Sequence, residues 1–152
     1  MDTIMTQISD EKIVEIAETY HTPLYLFEEA VIRSKCREIK TAISYPRTKI
    51  RYACKALTLQ AILKIIREEG LWIDASSLNE VLRAQRAGFL PQEIYYTGEG
   101  ATLTVYEELV QRGVLINCTS IDQIRLLGKI PGCTACSIRV NPADDVCPSD
   151  CG

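Results

Sequence analysis

Short apolar segments alternate with longer amphipathic segments along most of the chain. The longer segments repeat apolar residues at the three- and four-residue spacing of a helix, and several end at a glycine. This alternation predicts βαβ units around a parallel sheet. The predicted strands cover residues 49–54, 71–73, 93–96, 114–117 and 135–140, and the predicted helices cover residues 57–69, 77–86, 102–112 and 120–127.

The first 45 residues precede this regular pattern. Ser9 or Asp10 is the candidate N-cap of a short amphipathic helix. A strand is then predicted over residues 24–27, and a helix over residues 28–43. We therefore divide the chain into an N-terminal segment (1–45), a regular αβ segment (46–142) and a divergent tail (143–152).

Two α/β architectures fit this pattern: an open doubly wound sheet and a (β/α)8 barrel. No G-x-G-x-x-G follows the first strand and no Walker lysine motif occurs, so the nucleotide-binding architecture has no support. Four βα units and one further strand amount to about half of a barrel, which needs roughly 250 residues. We therefore expect an incomplete (β/α)8 barrel whose last strand has an open edge.

Composition and charge narrow the class of protein. Hydrophobic residues make up 47% and charged residues 24% of the chain, which is typical of a folded domain. A net charge of −3 argues against a nucleic-acid binder, which needs a basic surface to neutralise phosphates. The apolar runs are too short to span a bilayer, and the N-terminus lacks the pattern of a secretory signal. We expect a soluble, cytoplasmic protein.

The cysteines allow a metal-site alternative. Their number is odd and no export signal is present, so a disulfide framework is not expected. Two pairs have zinc-ligand spacing, but the first leads directly into the predicted fifth strand, where two thiols cannot easily grip one ion. We predict no metal site, and three cysteines that serve as small hydrophobes. The pairs are Cys133 with Cys136 and Cys147 with Cys151, and the other three are Cys36, Cys54 and Cys118.

Polar residues follow each predicted strand, at the end where parallel α/β folds place their chemistry. Lys55 is notable because it comes directly after the first strand of the regular segment. An apolar environment disfavours a charged lysine, so its pKa falls and the amine becomes a nucleophile towards carbonyl groups. The alternative is a solvated lysine at a strand end. The polar segments after the strands begin at Lys55, Asp74, Thr97, Asn117 and Arg139.

Several segments resemble the pyridoxal-phosphate-dependent decarboxylases of the alanine-racemase fold type, and the diaminopimelate branch of that family is the nearest pattern. Tyr52-Ala53-Cys54-Lys55-Ala56 resembles the family's Y-A-x-K-A-N segment. The other matches occur in family order and spacing. They are I-A-E-T-Y-H-T-P-L-Y (16–25), D-A-S-S-L-N-E (74–80), R-A-Q-R-A-G-F (83–89) and I-R-V-N-P (138–142).

This resemblance implies a barrel enzyme that uses pyridoxal 5′-phosphate to remove CO2 from an amino acid. Lys55 would form the Schiff base with the cofactor, and Asp74, Glu80 and Arg139 match cofactor-side positions of the family. From the residues alone, the alternatives are that Glu80 is a solvated helix residue, Asp74 an N-cap and Arg139 a surface arginine. The family also implies a homodimer, with small-molecule amino acids rather than nucleic acids as partners.

The chain departs from the family pattern in several places. Leu57 stands where the asparagine after the lysine is usual, and His21 replaces a glycine and is interpreted as a loop histidine. The family's glycine-rich phosphate loop, its acidic partner for the pyridine nitrogen and its C-terminal β-domain have no counterpart in this sequence. We therefore expect the N-terminal fragment of a meso-diaminopimelate decarboxylase, inactive in isolation. The alternatives are a catalytically silent paralogue or interaction module, and an ornithine or arginine decarboxylase relative.

Overall fold

The computed structural model describes residues 8–141, and its centre is a sheet of five parallel strands. The strands lie side by side in chain order, from β1 to β5. Sequential order is that of a (β/α)8 barrel, whereas a doubly wound sheet reverses its order at a switch point. The structure therefore confirms the predicted α/β architecture. The strands are β1 (Arg51–Ala53), β2 (Trp72–Ala75), β3 (Ile94–Tyr96), β4 (Leu115–Cys118) and β5 (Ser137–Ile138).

Helices connect the strands and begin close to the predicted positions. Serine side chains cap three of them: Ser9 caps α1, Ser77 caps α4 and Ser120 caps α6, each by accepting from a backbone N–H in the first turn. The helices are α1 (Asp10–Tyr20), α2 (Glu29–Thr41), α3 (Gln60–Glu68), α4 (Leu78–Arg86), α5 (Leu103–Gln111) and α6 (Ile121–Leu127). Two short 3-10 helices, Cys54–Ala56 and Pro91–Glu93, follow β1 and precede β3.

The two faces of the sheet have different environments. Residues of one face are buried beneath the helices, among them Ile73, Ile94 and Ile116, each no more than 2% exposed. We call the opposite face the uncovered face, because its side chains are half-buried or exposed. Side chains alternate along a strand, and neighbours in register point the same way. The uncovered face therefore holds Arg51, Trp72, Asp74, Tyr95, Asn117 and Ser137.

A buried carboxylate joins α2 to the end of α3. Glu69 is only 8% exposed, and its two oxygens accept hydrogen bonds from Arg37 at 2.9 and 2.7 Å and from Arg33 at 3.2 Å. Lys40 donates to the Glu69 carbonyl at 2.6 Å. The hydrogen bonds from Arg37, the largest cause, and from Arg33 lower the pKa of Glu69 below its usual value. The network fixes α2 beside the first helix of the regular segment.

Two strand predictions need correction. Residues 24–27 form no strand, and Leu24, Tyr25, Leu26 and Phe27 are all exposed. A strand needs a backbone partner, and within residues 8–141 none pairs with this segment. The fifth strand is two residues long rather than the predicted six. Among residues 8–141, no helix combines the length and apolar character needed to cross a bilayer.

Candidate active site

Lys55 lies just past β1, in the 3-10 helix Cys54–Ala56. Tyr52 closes this segment, because its hydroxyl donates to the Leu57 carbonyl at 3.2 Å. The Lys55 side chain is exposed, and among residues 8–141 it makes no hydrogen bond or ion pair. The exposed environment of Lys55 therefore differs from the apolar environment expected from the sequence. The turn therefore presents an accessible amine at the carboxyl end of the first strand.

Cys54, directly before this lysine, is buried, whereas Lys55 is exposed. Its side chain is fully buried, and burial raises the pKa of the thiol to about 11, with a smaller contribution from the negative charge of Glu80. The thiol therefore stays protonated at neutral pH and serves as a small hydrophobe, as predicted.

Asp74 lies in β2 and is half-buried on the uncovered face. Its register partner in β1 is Ala53, two residues before Lys55. The Thr97 hydroxyl donates to Asp74 Oδ1 at 2.9 Å. Ser77, not Asp74, caps the helix that follows β2, so the N-cap alternative for Asp74 is wrong. A carboxylate on the strand next to the one that leads into Lys55 is thus held by the side chain of Thr97, the residue directly after β3.

Glu80 lies in the first turn of α4. Its oxygens accept from the Ser76 backbone N–H at 2.9 Å and from the Ser76 hydroxyl at 3.1 and 3.2 Å. The Ser77 hydroxyl in turn accepts from the Glu80 backbone N–H at 3.3 Å. This reciprocal arrangement resembles a capping box and fixes the turn between β2 and α4. Glu80 is therefore half-buried and bonded, not freely solvated as the alternative held.

The same arrangement recurs two repeats later, between β4 and α6. The Gln123 side chain accepts from the Thr119 backbone N–H at 2.7 Å, and the Ser120 hydroxyl accepts from the Gln123 N–H at 3.3 Å. Gln123 also donates to the Gly98 carbonyl at 3.1 Å, which ties the end of β3 to α6. These two turns set the shape of the carboxyl edge of the sheet.

Arg139 follows β5, and its backbone N–H donates to the Cys118 carbonyl at 2.8 Å. Its side chain is exposed and makes no hydrogen bond or ion pair with the other candidate residues within residues 8–141. Its neighbours Ile138 and Val140 are 61% and 80% exposed. The structure thus brings Arg139 to the same edge as Lys55 and Asp74, but it joins only Asp74 to a neighbouring side chain.

Tyr95 and Ser137, two residues of the uncovered face, were not among the candidate site residues predicted from the sequence. The Ser137 hydroxyl donates to Asn117 Oδ1 at 2.9 Å, and the Tyr95 hydroxyl contacts Ser137 Oγ. Asn117 Nδ2 donates to Thr97 Oγ1 at 3.3 Å. The available signal was strand alternation, which places Tyr95 and Ser137 on the face opposite Ile94 and Ile138 in the predicted strands.

The metal-site and histidine predictions concern residues away from this edge. Within residues 8–141 no group of three or more histidine, cysteine or acidic side chains is arranged to hold a metal. Cys147 and Cys151, the second candidate zinc pair, lie outside the described residues. His21 is the exposed C-cap of α1, with φ at 64°.

Comparison with known proteins gives several relatives that are diaminopimelate decarboxylases. A diaminopimelate decarboxylase from Methanothermobacter thermautotrophicus is 42% identical over 132 residues, which is 85% of this chain and 31% of the relative. A diaminopimelate decarboxylase from Zymomonas mobilis is 29% identical over 146 residues, 91% of this chain and 35% of the relative. The chain therefore spans about a third of the length of these curated relatives.

Solved structures and a family match agree with these relatives. A crystal structure of an Aquifex aeolicus protein matches with a TM-score of 0.78 and 30% identity, over 86% of this chain and 34% of that one. Diaminopimelate decarboxylase from Helicobacter pylori, complexed with L-lysine, matches with a TM-score of 0.71 and 26% identity, over 75% of this chain and 29% of that one. Residues 29–151 match the pyridoxal binding domain of the pyridoxal-dependent decarboxylases, and because this match extends over most of the sequence, the chain belongs to that family.

Proposed function

We propose that this chain is the lysine-bearing part of a pyridoxal-phosphate-dependent decarboxylase that converts meso-diaminopimelate to L-lysine and CO2. The observation that carries the proposal is the position of Lys55, an exposed amine in the turn after β1. The names of the relatives support the substrate, since those from Methanothermobacter thermautotrophicus and Zymomonas mobilis are both diaminopimelate decarboxylases.

The residues on the carboxyl edge fit this cofactor. Pyridoxal phosphate presents an aldehyde, which an amine binds covalently, and negatively charged groups, which a cation attracts. Lys55 supplies an amine without a competing ion pair among residues 8–141, and Arg139 supplies an exposed guanidinium. Asp74 keeps one carboxylate oxygen without a hydrogen bond in the same part of the chain. Lys55, Asp74, Glu80 and Arg139 are therefore the residues that we assign to the cofactor.

When bound, the cofactor supplies an electron-withdrawing ring that stabilises the negative charge left as CO2 departs. The residues of this chain bind and orient. Lys55 holds the cofactor, and Asp74, fixed by Thr97, faces the same edge. Glu80 holds the turn after β2 in place through its hydrogen bonds with Ser76.

We further infer that the complete protein is a cytoplasmic homodimer whose partners are small-molecule amino acids and not nucleic acids. The family resemblance supports the dimer. The net charge of −3 supports the absence of a nucleic-acid partner, because phosphate binding needs an excess of basic residues. The segment 46–142 is assigned as the first half of the cofactor-binding barrel, after an N-terminal segment of residues 1–45.

Reductive labelling tests the assignment of Lys55. The 152-residue chain is incubated with pyridoxal phosphate, reduced with borohydride and digested, and the labelled peptide is identified by mass spectrometry. We expect the label predominantly on the peptide that contains Lys55, because this amine is exposed and lies among polar groups suited to the cofactor.

Two variants make this experiment specific. Lys55→Arg is expected to lose the label and keep its far-UV circular dichroism. Lys64→Arg is the matched control, because Lys64 is an exposed lysine on α3 away from the carboxyl edge, and it is expected to be labelled like the original chain. A label spread evenly over several lysines, or unchanged in Lys55→Arg, would contradict the proposal and favour a catalytically silent interaction module.

A further inference from the structure

A chain of side-chain hydrogen bonds crosses the carboxyl ends of β2 to β5 on the uncovered face. It runs from the Tyr95 hydroxyl through Ser137, Asn117 and Thr97 to the Asp74 carboxylate. We call these five side chains the relay. Its contacts are Tyr95 with Ser137, Ser137 Oγ to Asn117 Oδ1 at 2.9 Å, Asn117 Nδ2 to Thr97 Oγ1 at 3.3 Å, and Thr97 Oγ1 to Asp74 Oδ1 at 2.9 Å.

The chemistry of the groups fixes the direction of the relay. An ionised carboxylate can only accept, so the single hydroxyl proton of Thr97 is donated to Asp74. Thr97 then accepts from the Asn117 amide nitrogen, which leaves the amide oxygen of Asn117 to accept from Ser137. Ser137 has used its own proton, so Tyr95 donates to it. Every hydrogen bond therefore points towards Asp74, and bonds aligned in this way strengthen one another.

Folding alone does not require this arrangement. The parallel strands already pair through their backbones, and the relay side chains are half-buried on the uncovered face, where water can satisfy hydroxyl and amide groups. The relay instead fixes one oxygen of Asp74 and leaves the other without a hydrogen bond among residues 8–141. That free oxygen belongs to the strand beside the one that leads into Lys55.

We propose that Thr97 and Asn117 are positioning residues for cofactor binding: through the relay they hold Asp74 in one orientation beside Lys55. This proposal rests on the proposed function. The relay draws on four strands, so the orientation of Asp74 depends on correct pairing from β2 to β5. Loss of one donor leaves the carboxylate free to rotate, and the bound cofactor then samples more than one orientation.

Removal of the Thr97 hydroxyl tests the proposal without an activity measurement. Pyridoxal phosphate is titrated into the 152-residue chain, and affinity is measured from the absorbance of the bound cofactor and its orientation from visible circular dichroism. For Thr97→Val, which keeps the side-chain shape, we expect about tenfold weaker binding, because it loses a hydrogen bond to a charged group. We also expect a smaller dichroic signal per bound cofactor.

Three further variants separate positioning from general destabilisation. Thr97→Ser keeps the donor and is expected to retain affinity and dichroism. Thr104→Val makes the same chemical change at an exposed position of α5, and no effect is expected. Asn117→Asp replaces the donor to Thr97 by a second acceptor that competes for the Thr97 hydroxyl proton. Asn117→Asp is therefore expected to show the same weaker binding and smaller dichroic signal as Thr97→Val. It replaces Thr97→Val as the test variant if Thr97→Val does not fold.

The outcomes distinguish the two proposals. Borohydride labelling of Lys55 in the original chain, with weaker binding and reduced dichroism in Thr97→Val and Asn117→Asp, supports both. Labelled Lys55 with affinity and dichroism unchanged in a folded Thr97→Val or Asn117→Asp overturns the relay alone. If Lys55 is not labelled in the original chain, the proposed function is overturned, and the relay proposal fails with it.

Discussion

Gly98, directly after Thr97, lies where two backbone segments approach closely. A Cβ at this position would lie 2.8 Å from the Ser76 carbonyl oxygen and would also collide with the Tyr96 hydroxyl. The carbonyl belongs to the backbone, so it cannot move aside as a flexible side chain can. A residue without a side chain is therefore required between the ends of β2 and β3, next to the relay.

We predict that Gly98→Ala lowers the free energy of unfolding by about 1–3 kcal/mol, because the added methyl group forces a backbone shift in a packed region. Denaturant unfolding measures the effect. Gly128→Ala is the matched control: Gly128 has helical dihedral angles, and an added Cβ would meet only ordinary contacts at 3.5 and 3.8 Å. The control is expected to be neutral or slightly stabilising. Equal stability of Gly98→Ala and the original chain would refute the steric argument.

At the residue scale, part of the candidate site could be predicted from the sequence. Lys55, Asp74 and Glu80 occur in segments that resemble a known family, and Thr97 and Asn117 directly follow or end apolar runs. Tyr95 and Ser137 could not be paired in advance. Their contact joins β3 to β5 across the strand between them, and it depends on the register of three strands, which no local pattern determines.

At the element scale, α2 is tied to the regular segment by charged groups around Glu69, beside the apolar contacts of Cys36 and Ile32 with the core. The pKa of Glu69 is lowered in the folded chain, so its carboxylate contributes stability that is present above the ordinary carboxyl value of 4.5 and is lost as the pH falls through the lower folded value. Two arginines and the buried position make this carboxylate different from the exposed acidic residues of the helices.

We predict that Glu69→Gln lowers the melting temperature at pH 7, and that its difference from the original chain shrinks as the pH falls well below 4.5. Thermal unfolding over a series of pH values measures both effects. Glu38→Gln is the control, because Glu38 forms only an exposed ion pair with Lys35, which contributes little. If Glu69→Gln and Glu38→Gln behaved alike at pH 7, the network would not be the tie between α2 and α3.

The helices that end at glycines could be predicted from the sequence, whereas the irregular segments at residues 24–27 and around Lys55 could not. The helices that precede Gly70, Gly88 and Gly113 end as expected, because each glycine adopts a positive φ, of 77°, 95° and 71°, that stops a helix. Residues 24–27 have the apolar composition of a strand, but a strand also needs a partner, and partners are not encoded locally. The 3-10 helix that carries Lys55 was likewise absent from the prediction, since no distinct residue pattern marks so short an element.

At the scale of the whole molecule, the candidate site is open. Lys55 and Arg139 are exposed, and Ile138 and Val140 at the fifth strand are 61% and 80% exposed. The curated relatives are about three times longer than the segment they share with this chain. Decarboxylation depends on donors aimed at a developing charge and on exclusion of water, and each missing donor costs about 10²–10³ in rate.

We therefore predict that the 152-residue chain binds pyridoxal phosphate at Lys55 but releases almost no CO2 from meso-diaminopimelate. A chimera tests whether this loss comes from the missing environment or from the chain itself. The segment of the Methanothermobacter thermautotrophicus decarboxylase that is 42% identical over 132 residues is replaced by the matching residues of this chain. CO2 release from meso-diaminopimelate is then measured for the isolated chain, the chimera and the chimera with Lys55→Ala. We expect activity in the chimera alone, because the chimera has the full length of the relative, whereas this chain spans about a third of that length. Turnover by the isolated chain close to that of the chimera would show that the uncovered face is sufficient, and an inactive but folded chimera would show that this chain has lost the decarboxylase function.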